Sequence, residues 1–575
     1  MKSFTQLKKN LKKDFSALRK LRVALLGDTA TQFLNQALKG AGFDSDVDII
    51  VWEADFNQIE RQVLDLSSDL YRQESEVIII FQSSHKLLAA YNKLKIHEYI
   101  NFADRQLSLI NDLFTAVNQN TRAKIIFYNF AEIDDAVFGN YANKVEASFL
   151  FQLRKINFHL SVYALSQPNF YVCDISAIQN LIGKAAMFQP SVYINTDMVL
   201  NIDVLPFIAF RTIDIIASFN GQFKKCLILD LDNTLWGGVI GDDGLDKIQI
   251  GSLGIGKAFT EFQYWLKKLK NRGIILTVCS KNNDSIAREP FEKHPDMVLH
   301  LDDIAVFLAN WENKVDNIRF IQQVLNIGFD SMVFLDDNPF ERNIVRENIV
   351  EITVPELPPD PADYLEYLYA LNLFETSSFS AEDQHRTRQY QVQAQRSSLQ
   401  TSFTNEDDFL KNLQMISDVM PFSSFTVPRV AQLSQRSNQF NLRTIRYTEA
   451  EIDMLLKNPA YHTFSFTLSD LYGDNGLIAL VILRQENNLT IFIENWLMSC
   501  RVLKRGMEQF ILNFIASFAI EMGFTFLKGE YLPTLKNEMV KQHYKNLGFD
   551  SSDGKWILNL HTYLPKSCFI KINKR

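Results

Sequence analysis

The stretch Cys226-Leu-Ile-Leu-Asp230-Leu-Asp232-Asn-Thr234-Leu-Trp236 constrains this chain more than any other. A short apolar run reads as a buried strand, and it ends at two carboxylates two residues apart. Side chains alternate faces along a strand, so a strand continued through both would point Asp230 and Asp232 the same way. Open α/β sheets take ligands at the carboxyl ends of their strands. An acidic pair there can divide two tasks. One carboxylate attacks phosphorus and forms an aspartyl-phosphate, while the other moves protons for the leaving group and for water. Thr234 adds a hydroxyl to the turn. Taken alone, the pair reads equally well as the solvated end of an ordinary strand.

Further polar groups follow in order, each near the end of another strand-like run. Ile274 to Cys279 is apolar and leads into Ser280-Lys281-Asn282; Lys314 lies in Trp311-Glu-Asn-Lys-Val-Asp316; Met332-Val-Phe-Leu335 ends in Asp336-Asp337. A phosphoryl group with developing charge needs a hydroxyl donor, a fixed cation and a second acidic cluster that holds Mg²⁺ against the first. Singly, Ser280 is a turn residue, Lys314 a solvated lysine and Asp336-Asp337 a helix cap. Four such pieces in order after matching runs point to one site.

These residues resemble a haloacid dehalogenase (HAD) superfamily domain over about 224 to 375. Within it, Leu235-Trp-Gly-Gly-Val-Ile-Gly-Asp-Asp-Gly244, Cys279-Ser-Lys-Asn282, Phe291-Glu-Lys-His-Pro-Asp-Met297, Asn310-Trp-Glu-Asn-Lys314 and Phe334-Leu-Asp-Asp-Asn-Pro-Phe-Glu-Arg342 resemble the FkbH-like branch. The resemblance implies Asp230 as nucleophile and Asp232 as acid/base. It implies Thr234, Ser280 and Lys314 around the phosphate, and a Mg²⁺ site of Asp230, Asp232, Asp336 and Asp337. The short, glycine-rich insert after Thr234 predicts a hairpin flap instead of a large cap, an open site suited to a bulky or protein-carried substrate.

The chain's 575 residues predict three or four domains. Hydrophobic residues at 47% and charged ones at 22% describe a globular protein with ample core. A net charge of −8 argues against nucleic acid or an anionic membrane as main partner. Five cysteines scattered without metal or disulfide spacing predict a reducing cytoplasm. No apolar run reaches the length of a membrane span, and Val23 to Leu26 is too short for a signal segment.

The expected organisation is a multidomain α/β chain: an SGNH/flavodoxin-like domain over 1–220, the HAD Rossmann-like core over 221–378, a linker helix over 379–404, and a GNAT-like α+β domain over 405–575. At the N-terminus, Phe4, Leu7, Leu11, Phe15 and Leu18 recur at helical spacing between lysines, predicting a helix docked on its own domain. Short apolar runs at Leu21 to Leu26, Ile49 to Trp52, Val77 to Phe81 and Lys124 to Tyr128 alternate with helical stretches, which predicts a parallel sheet. Gly27-Asp28-Thr29 and Asp174-Ile-Ser-Ala177 weakly resemble the serine and Asp-x-x-His motifs of SGNH hydrolases. Threonine replaces the serine and alanine the histidine, so nothing obvious activates the hydroxyl, and a recruitment or dimerisation domain is expected. Asn129 reads either as an oxyanion-hole residue or as a strand-end turn.

After a polar stretch whose Ser380 precedes Asp383 as a helix-cap signal, the pattern from 405 onward resembles a GNAT acyltransferase fold. The supporting residues are Tyr472-Gly-Asp-Asn-Gly476, Trp496 to Val502, Asn537 and Tyr544 to Phe549. In that family a glycine-rich turn opening a helix holds the pyrophosphate of acyl-CoA on backbone N–H groups. Cys500, Arg501, Lys504 and Gly506 occupy this region, with Lys504 where a glycine is expected; Tyr544 stands where the general acid would be. An acyl or pantetheine-binding role is therefore expected over independent acetyl transfer.

FkbH-like enzymes can take a glyceryl unit from 1,3-bisphosphoglycerate, lose phosphate and load a carrier-protein thiol, and Cys279 and Cys500 are the candidate thioester residues. The expected function is thus Mg²⁺-dependent phosphate release from a phosphorylated small molecule, coupled to acyl transfer onto an acyl carrier protein supplied in trans. The alternatives are a plain phosphatase with non-catalytic flanking domains and a non-catalytic scaffold.

Overall fold

Two wholly parallel sheets and one mostly antiparallel sheet organise the described residues in the computed structural model, which describes 2–400, 403–534, 536–552 and 554–573. The chain forms two compact units, Met1–Ala217 and Ser218–Arg575.

The first unit carries strands β1 (Arg19–Gly27), β2 (Val47–Glu53), β3 (Val77–Phe81), β4 (Lys124–Tyr128) and β5 (Phe170–Cys173), in the order β2-β1-β3-β4-β5. All five residues of β3 are buried, as a strand covered by helices on both faces demands. At the sheet edge, β2 alternates buried Val47 and Ile49 with less buried Asp48 and Ile50. The basic N-terminal helix Phe4–Asn10 starts at Ser3, whose side chain accepts from Gln6 N–H in a capping box. It buries Phe4 and Leu7 against the helix Gln32–Asp44, where Gly40 leaves no room for a Cβ beside the Leu7 backbone. The helix docks on its own domain through Phe4 and Leu7, but it ends at Asn10, shorter than the predicted pattern, so Leu11, Phe15 and Leu18 lie beyond it.

The second unit opens with the sheet that matters for the site: β6 (Cys226–Leu229), β7 (Ile275–Ser280), β8 (Ile304–Ala309) and β9 (Met332–Leu335), ordered β8-β7-β6-β9. Every residue of β6, β7 and β9 is buried. The chain steps outward from β6 to β8 and then crosses back to β9 on the other side of β6. That reversal creates a switch point between β6 and β9, the place where such sheets leave a crevice.

The third sheet comprises β10 (Ile416–Ser417), β11 (Val419–Met420), β12 (Tyr461–Asp470), β13 (Gly473–Gln485), β14 (Thr490–Met498), β15 (Phe526–Gly529), β16 (Asp550–Ser552), β17 (Lys555–Asn559) and β18 (Lys571–Ile572). Its strands run antiparallel except where β14 meets β15 and β10 meets β18. With the buried helix Met507–Glu521 packed on it, this is an α+β domain. Its strands outrun the apolar stretches legible in the sequence, because polar ends such as Ser469-Asp470 and Gly473-Asp474 pair as well. The helix Arg386–Gln400 ties the two sheets of this unit together. Gln391 Nε2 donates to the Ile304 carbonyl at 2.9 Å, and Arg396 pairs with buried Asp470 at 2.7 Å. Ser380 and Asp383 form the expected capping box just before that helix; residues 401 and 402 lie outside the described residues.

Candidate active site

The crevice beside β6 is floored by charge. β6 stops at Leu229, and Asp230 follows with its backbone N–H on the Leu335 carbonyl of β9 at 3.0 Å. Its carboxylate Oδ1 lies 2.9 Å from Lys314 Nζ, and the same ammonium lies 2.5 Å from Asp336 Oδ2. Lys314 begins the helix Lys314–Leu325 after β8, where Asn313 caps the helix by accepting from Val315 N–H. Oxygens of Asp230, Asp336 and Asp337 lie within 4.8 Å of one another, a group that could hold a hard divalent cation. Ser280, at the end of β7, is buried, and its carbonyl accepts from Asn310 N–H at 3.1 Å. Of the residues expected at one site, Asp230, Lys314, Asp336 and Asp337 are in mutual reach.

Asp232 takes a different position. Asn233 adopts a left-handed φ of 54°, which turns the chain immediately after it, a conformation asparagine tolerates. Asp232 Oδ1 accepts from Trp236 Nε1 and from Ile240 N–H, both at 3.0 Å, and Oδ2 accepts from Asn282 Nδ2 at 2.7 Å. Its carboxylate thus anchors the flap and is not one of the three grouped carboxylates, though it lies near enough for the charge of Asp230 to help raise it. The flap is closed by one antiparallel pair, Gly237 with Gln249, and holds only the helical turn Ile240–Asp243. Gly237 sits close against its neighbours: a Cβ would come within 3.0 Å of Gln249 Cβ and of the Phe259 ring. Thr234 is fully buried and accepts the Asp337 N–H at 3.1 Å, so its hydroxyl holds the second acidic loop in place.

Burial and crowding set the protonation of this site. Desolvation, then the charge of Asp230, pushes the Asp337 carboxyl up to about 6 and raises Asp336 as well. Burial also raises Asp232, against the three hydrogen bonds that favour its ionised form. Burial opposes the charge of Lys314, but Asp230 and Asp336 outweigh it and hold the ammonium charged.

Several groups legible in the sequence only as strand-end polar residues turn out to support the site. Asn282 holds Asp232, and Lys281 pairs with buried Glu341 at 2.5 Å. Arg342 donates to the carbonyls of Asp336 and Asp337 at 2.8 and 2.7 Å while paired with Glu356. Arg342 lies in the helix Pro339–Asn348 that opens two residues after Asp337, and its place in the Phe334 to Arg342 motif was the available signal.

The two candidate thiols differ in placement, Cys279 beneath the site and Cys500 away from it. Cys279 is wholly buried, its Sγ against the Lys314 carbonyl at 3.8 Å, and burial pushes the thiol well above its usual range. The Cys500 carbonyl accepts from Asn326 Nδ2 at 2.7 Å, and Asn326 caps the far end of the 12-residue helix that Lys314 begins. At 1.5 Å per residue, that helix puts about 18 Å between Lys314 and the Cys500 region. Arg501 is buried among Ser499, Asn475 and Gln389, and Lys504 adopts a left-handed φ of 62°. Gly506, also left-handed, caps the helix Met507–Glu521. Tyr544 is buried in the core, and a Cβ on Gly529 would come within 2.6 Å of its hydroxyl.

In the first unit, Thr29 is fully buried. Asn129 Nδ2 donates to Asp174 Oδ1 at 2.8 Å, while its Oδ1 accepts from Ile175 and Ser176 N–H. Asp174 caps the helix Ile175–Ile182 by accepting from Ala177 N–H at 2.9 Å. Both side chains serve as strand-end and helix-start supports, the turn reading of Asn129.

A family model described as the N-terminal domain of FkbH matches residues 22–217. A comparison with curated proteins finds no match. Among solved structures, a GNAT family acetyltransferase from Elizabethkingia anophelis with acetyl-CoA bound aligns over 24% of this chain and 78% of its own, at 15% identity and a TM-score of 0.19. The ribosomal-protein-S18-alanine N-acetyltransferase of Escherichia coli aligns over 24% and 88%, at 14% identity and a TM-score of 0.19. The N-terminal part of the protein BF1531 from Bacteroides fragilis, containing a phosphatase domain and complexed with Mg, is 57% identical, with a TM-score of 0.64. The alignment covers 66% of this chain and 100% of that one. Identity of this order over the whole of that relative shows that this protein belongs to the same family, that of FkbH-like, HAD-type proteins with a phosphatase domain.

Proposed function

We propose that this protein is a Mg²⁺-dependent HAD-type phosphatase that works through an aspartyl-phosphate on Asp230. The observation that carries this reading is the convergence of Asp230, Asp336 and Asp337 beside Lys314 at the switch point of a parallel sheet. Three hard oxygen donors suit Mg²⁺, which takes few carboxylates and keeps several waters. When bound, Mg²⁺ would supply positive charge that offsets the charge of the transferring phosphoryl group. In the first half-reaction an Asp230 oxygen bonds to phosphorus, the bond from phosphorus to the leaving oxygen breaks, and Asp232 gives that oxygen its proton. In the second, water bonds to the same phosphorus, Asp232 takes a proton from it, and the bond to Asp230 breaks as phosphate leaves. The raised affinity of Asp232 for a proton suits both transfers. Ser280 and Lys314 bind the phosphoryl oxygens in this scheme, and Lys314 also pairs with Asp230 at 2.9 Å.

Coupling to glyceryl transfer asks for a different bond change. A thiolate would bond to the carbonyl carbon of an acyl phosphate, and the carbon–oxygen bond to phosphate would break. Buried, protonated Cys279 does not serve this step, and Cys500 lies about 18 Å away along the helix. An acceptor thiol carried in trans is therefore the form of this reading that the geometry favours. The same distance favours the second reading, a plain phosphatase on a small phosphorylated metabolite.

The test is incubation of the full chain with Mg²⁺ and 1,3-bisphosphoglycerate, following phosphate and intact mass together. Phosphate release without a mass gain is expected. A glyceryl-sized gain that disappears in Cys500→Ala would instead make Cys500 an acyl holder, and no release from this or any other phosphate ester would remove the phosphatase reading. EDTA is expected to stop release and Mg²⁺ to restore it; full activity after rigorous chelation would exclude the metal.

Mg²⁺ is also expected to raise Tm more at pH 8 than at pH 5.5. Metal binding requires carboxylates, and at the lower pH Asp337 and Asp336 hold protons that must leave first. The sign for the metal-free chain is the reverse. The folded state keeps protons that the unfolded chain has lost above about pH 4, so these groups weaken stability as pH rises toward 6. Equal Mg²⁺-induced shifts at both pH values would take the two carboxylates out of the metal site.

A further inference from the structure

The turn that carries Asp232 and Thr234 is held by a group far away in the sequence. Asn233, between them, keeps its left-handed φ of 54° while exposed, so packing does little to fix it. Hydrogen bonds do so instead. Its side-chain Oδ1 accepts from Gly238 N–H at 2.9 Å, at the root of the flap. The peptide that joins it to Thr234 is gripped at both ends. Thr234 N–H donates to the Leu231 carbonyl at 3.1 Å, and the Asn233 carbonyl accepts from Tyr364 Oη at 3.2 Å. The first bond is local to the turn; the second reaches it across 131 positions.

Tyr364 is placed to hold that carbonyl rigidly. It opens the helix Tyr364–Leu371 and is 2% exposed. Its ring stands edge-on to Phe259 and Phe262 of the helix Gly254–Asn271, with centroids 6.4 and 6.0 Å away. A ring packed in this way cannot change rotamer freely, so the direction of its hydroxyl is set. Burial, then the charge of Asp337, pushes that hydroxyl up to about 12, and it stays a proton donor across the neutral range. On one side of the gripped peptide stands Asp232 with its three hydrogen bonds, and on the other the Thr234 hydroxyl that holds the Asp337 loop.

We propose that Tyr364 is a positioning residue for phosphate release: by fixing the peptide between Asn233 and Thr234 it keeps Asp232 aimed at the leaving-group oxygen. It acts through Asp232 and not by touching substrate. Water can take the place of the hydroxyl at this exposed turn, but a mobile water does not set the direction of the carbonyl. A shift of about 1 Å at a group that transfers a proton can cost about a hundredfold in rate. The inference rests on the phosphatase reading and gives it a residue outside the motifs that pointed to the site.

The test separates proton transfer from folding. Phenyl phosphate and p-nitrophenyl phosphate present nearly the same shape, but the phenolate oxygen needs a proton on leaving far more than the nitrophenolate does. Steady-state kinetics of the full chain with Mg²⁺ are measured on both, for the parent and for Tyr364→Phe, which keeps the ring. The variant is expected to lose about tenfold or more in kcat/KM on phenyl phosphate and to stay within about threefold on p-nitrophenyl phosphate, with Tm close to that of the parent. Equal losses on both substrates would show a merely structural bond, and no loss on either would show an idle one; each result overturns the proposal. A parent chain that releases phosphate from neither would remove the phosphatase reading itself, and this inference with it.

Discussion

Asp230→Asn is expected to lower phosphate release by at least about a thousandfold while leaving the fold intact. The substitution keeps shape and volume in a packed site and removes only the nucleophilic oxygen. It also removes one of two carboxylates that share the Lys314 ammonium, but Asp336 still pairs with that ammonium at 2.5 Å. Crowding among Asp230, Asp336 and Asp337 falls at the same time, since Asp230 is the charge that raises the other two. Tm should therefore hold or rise. Phosphate assays on the purified variant, with Tm measured alongside, check both halves. Undiminished turnover would remove Asp230 as nucleophile, and loss of turnover with a collapsed Tm would show a structural role instead.

The second large effect belongs to Lys314. Replacing it with methionine keeps the length of the side chain but leaves Asp230 and Asp336, both nearly inaccessible, without their cation. Breaking a buried pair in this way typically costs about 3–5 kcal/mol, because the remaining charge is uncompensated. The loss should depend on pH in a definite direction. Without the ammonium the Asp336 carboxyl moves further above its unfolded value, so the folded state holds more protons and stability falls as pH rises from about 4 toward neutrality. Lys314→Met should thus be clearly less stable than the parent at pH 8 and closer to it at pH 5. Mg²⁺ should recover more Tm in the variant than in the parent, since a divalent cation replaces part of the missing charge. A variant as stable as the parent at pH 8 would mean that Lys314 is not the counter-charge of this site.

The acidic residues and the lysine were readable in the chain because each follows a local signal. Asp230, Ser280 and Asp336 come straight after apolar runs that form β6, β7 and β9, and Lys314 opens the helix after β8. Period and composition mark strand ends, and strand ends in a parallel sheet are where polar groups gather. The parallel first sheet was legible from alternation of short apolar runs with helical stretches, and the α+β character beyond 405 from a resemblance to the GNAT fold.

Other roles were not written locally. Thr234 sits in the same motif as Asp230, yet it turns inward to hold the Asp337 loop, 103 positions away. Asp232 stands two residues from Asp230 but is claimed by Trp236, Ile240 and Asn282. Cys500 and Arg501 lie in one motif, and both are drawn into contacts with distant parts of the second unit, Asn326 and Gln389. Asn129 and Asp174 resemble catalytic groups by spacing and are spent on capping a helix.

The sequence by itself determined the kinds of chemistry this protein carries and the strand ends that carry them, because periodicity, chain direction and residue type are local properties. Which carboxylate meets Lys314, which hydroxyl merely props a loop, how far a thiol lies from the phosphate and which tyrosine reaches the Asn233 turn were decided only by the tertiary structure. Each of those depends on hydrogen bonds and packing between residues tens to hundreds of positions apart, and burial, which sets their charge and reach, exists only once the chain has folded.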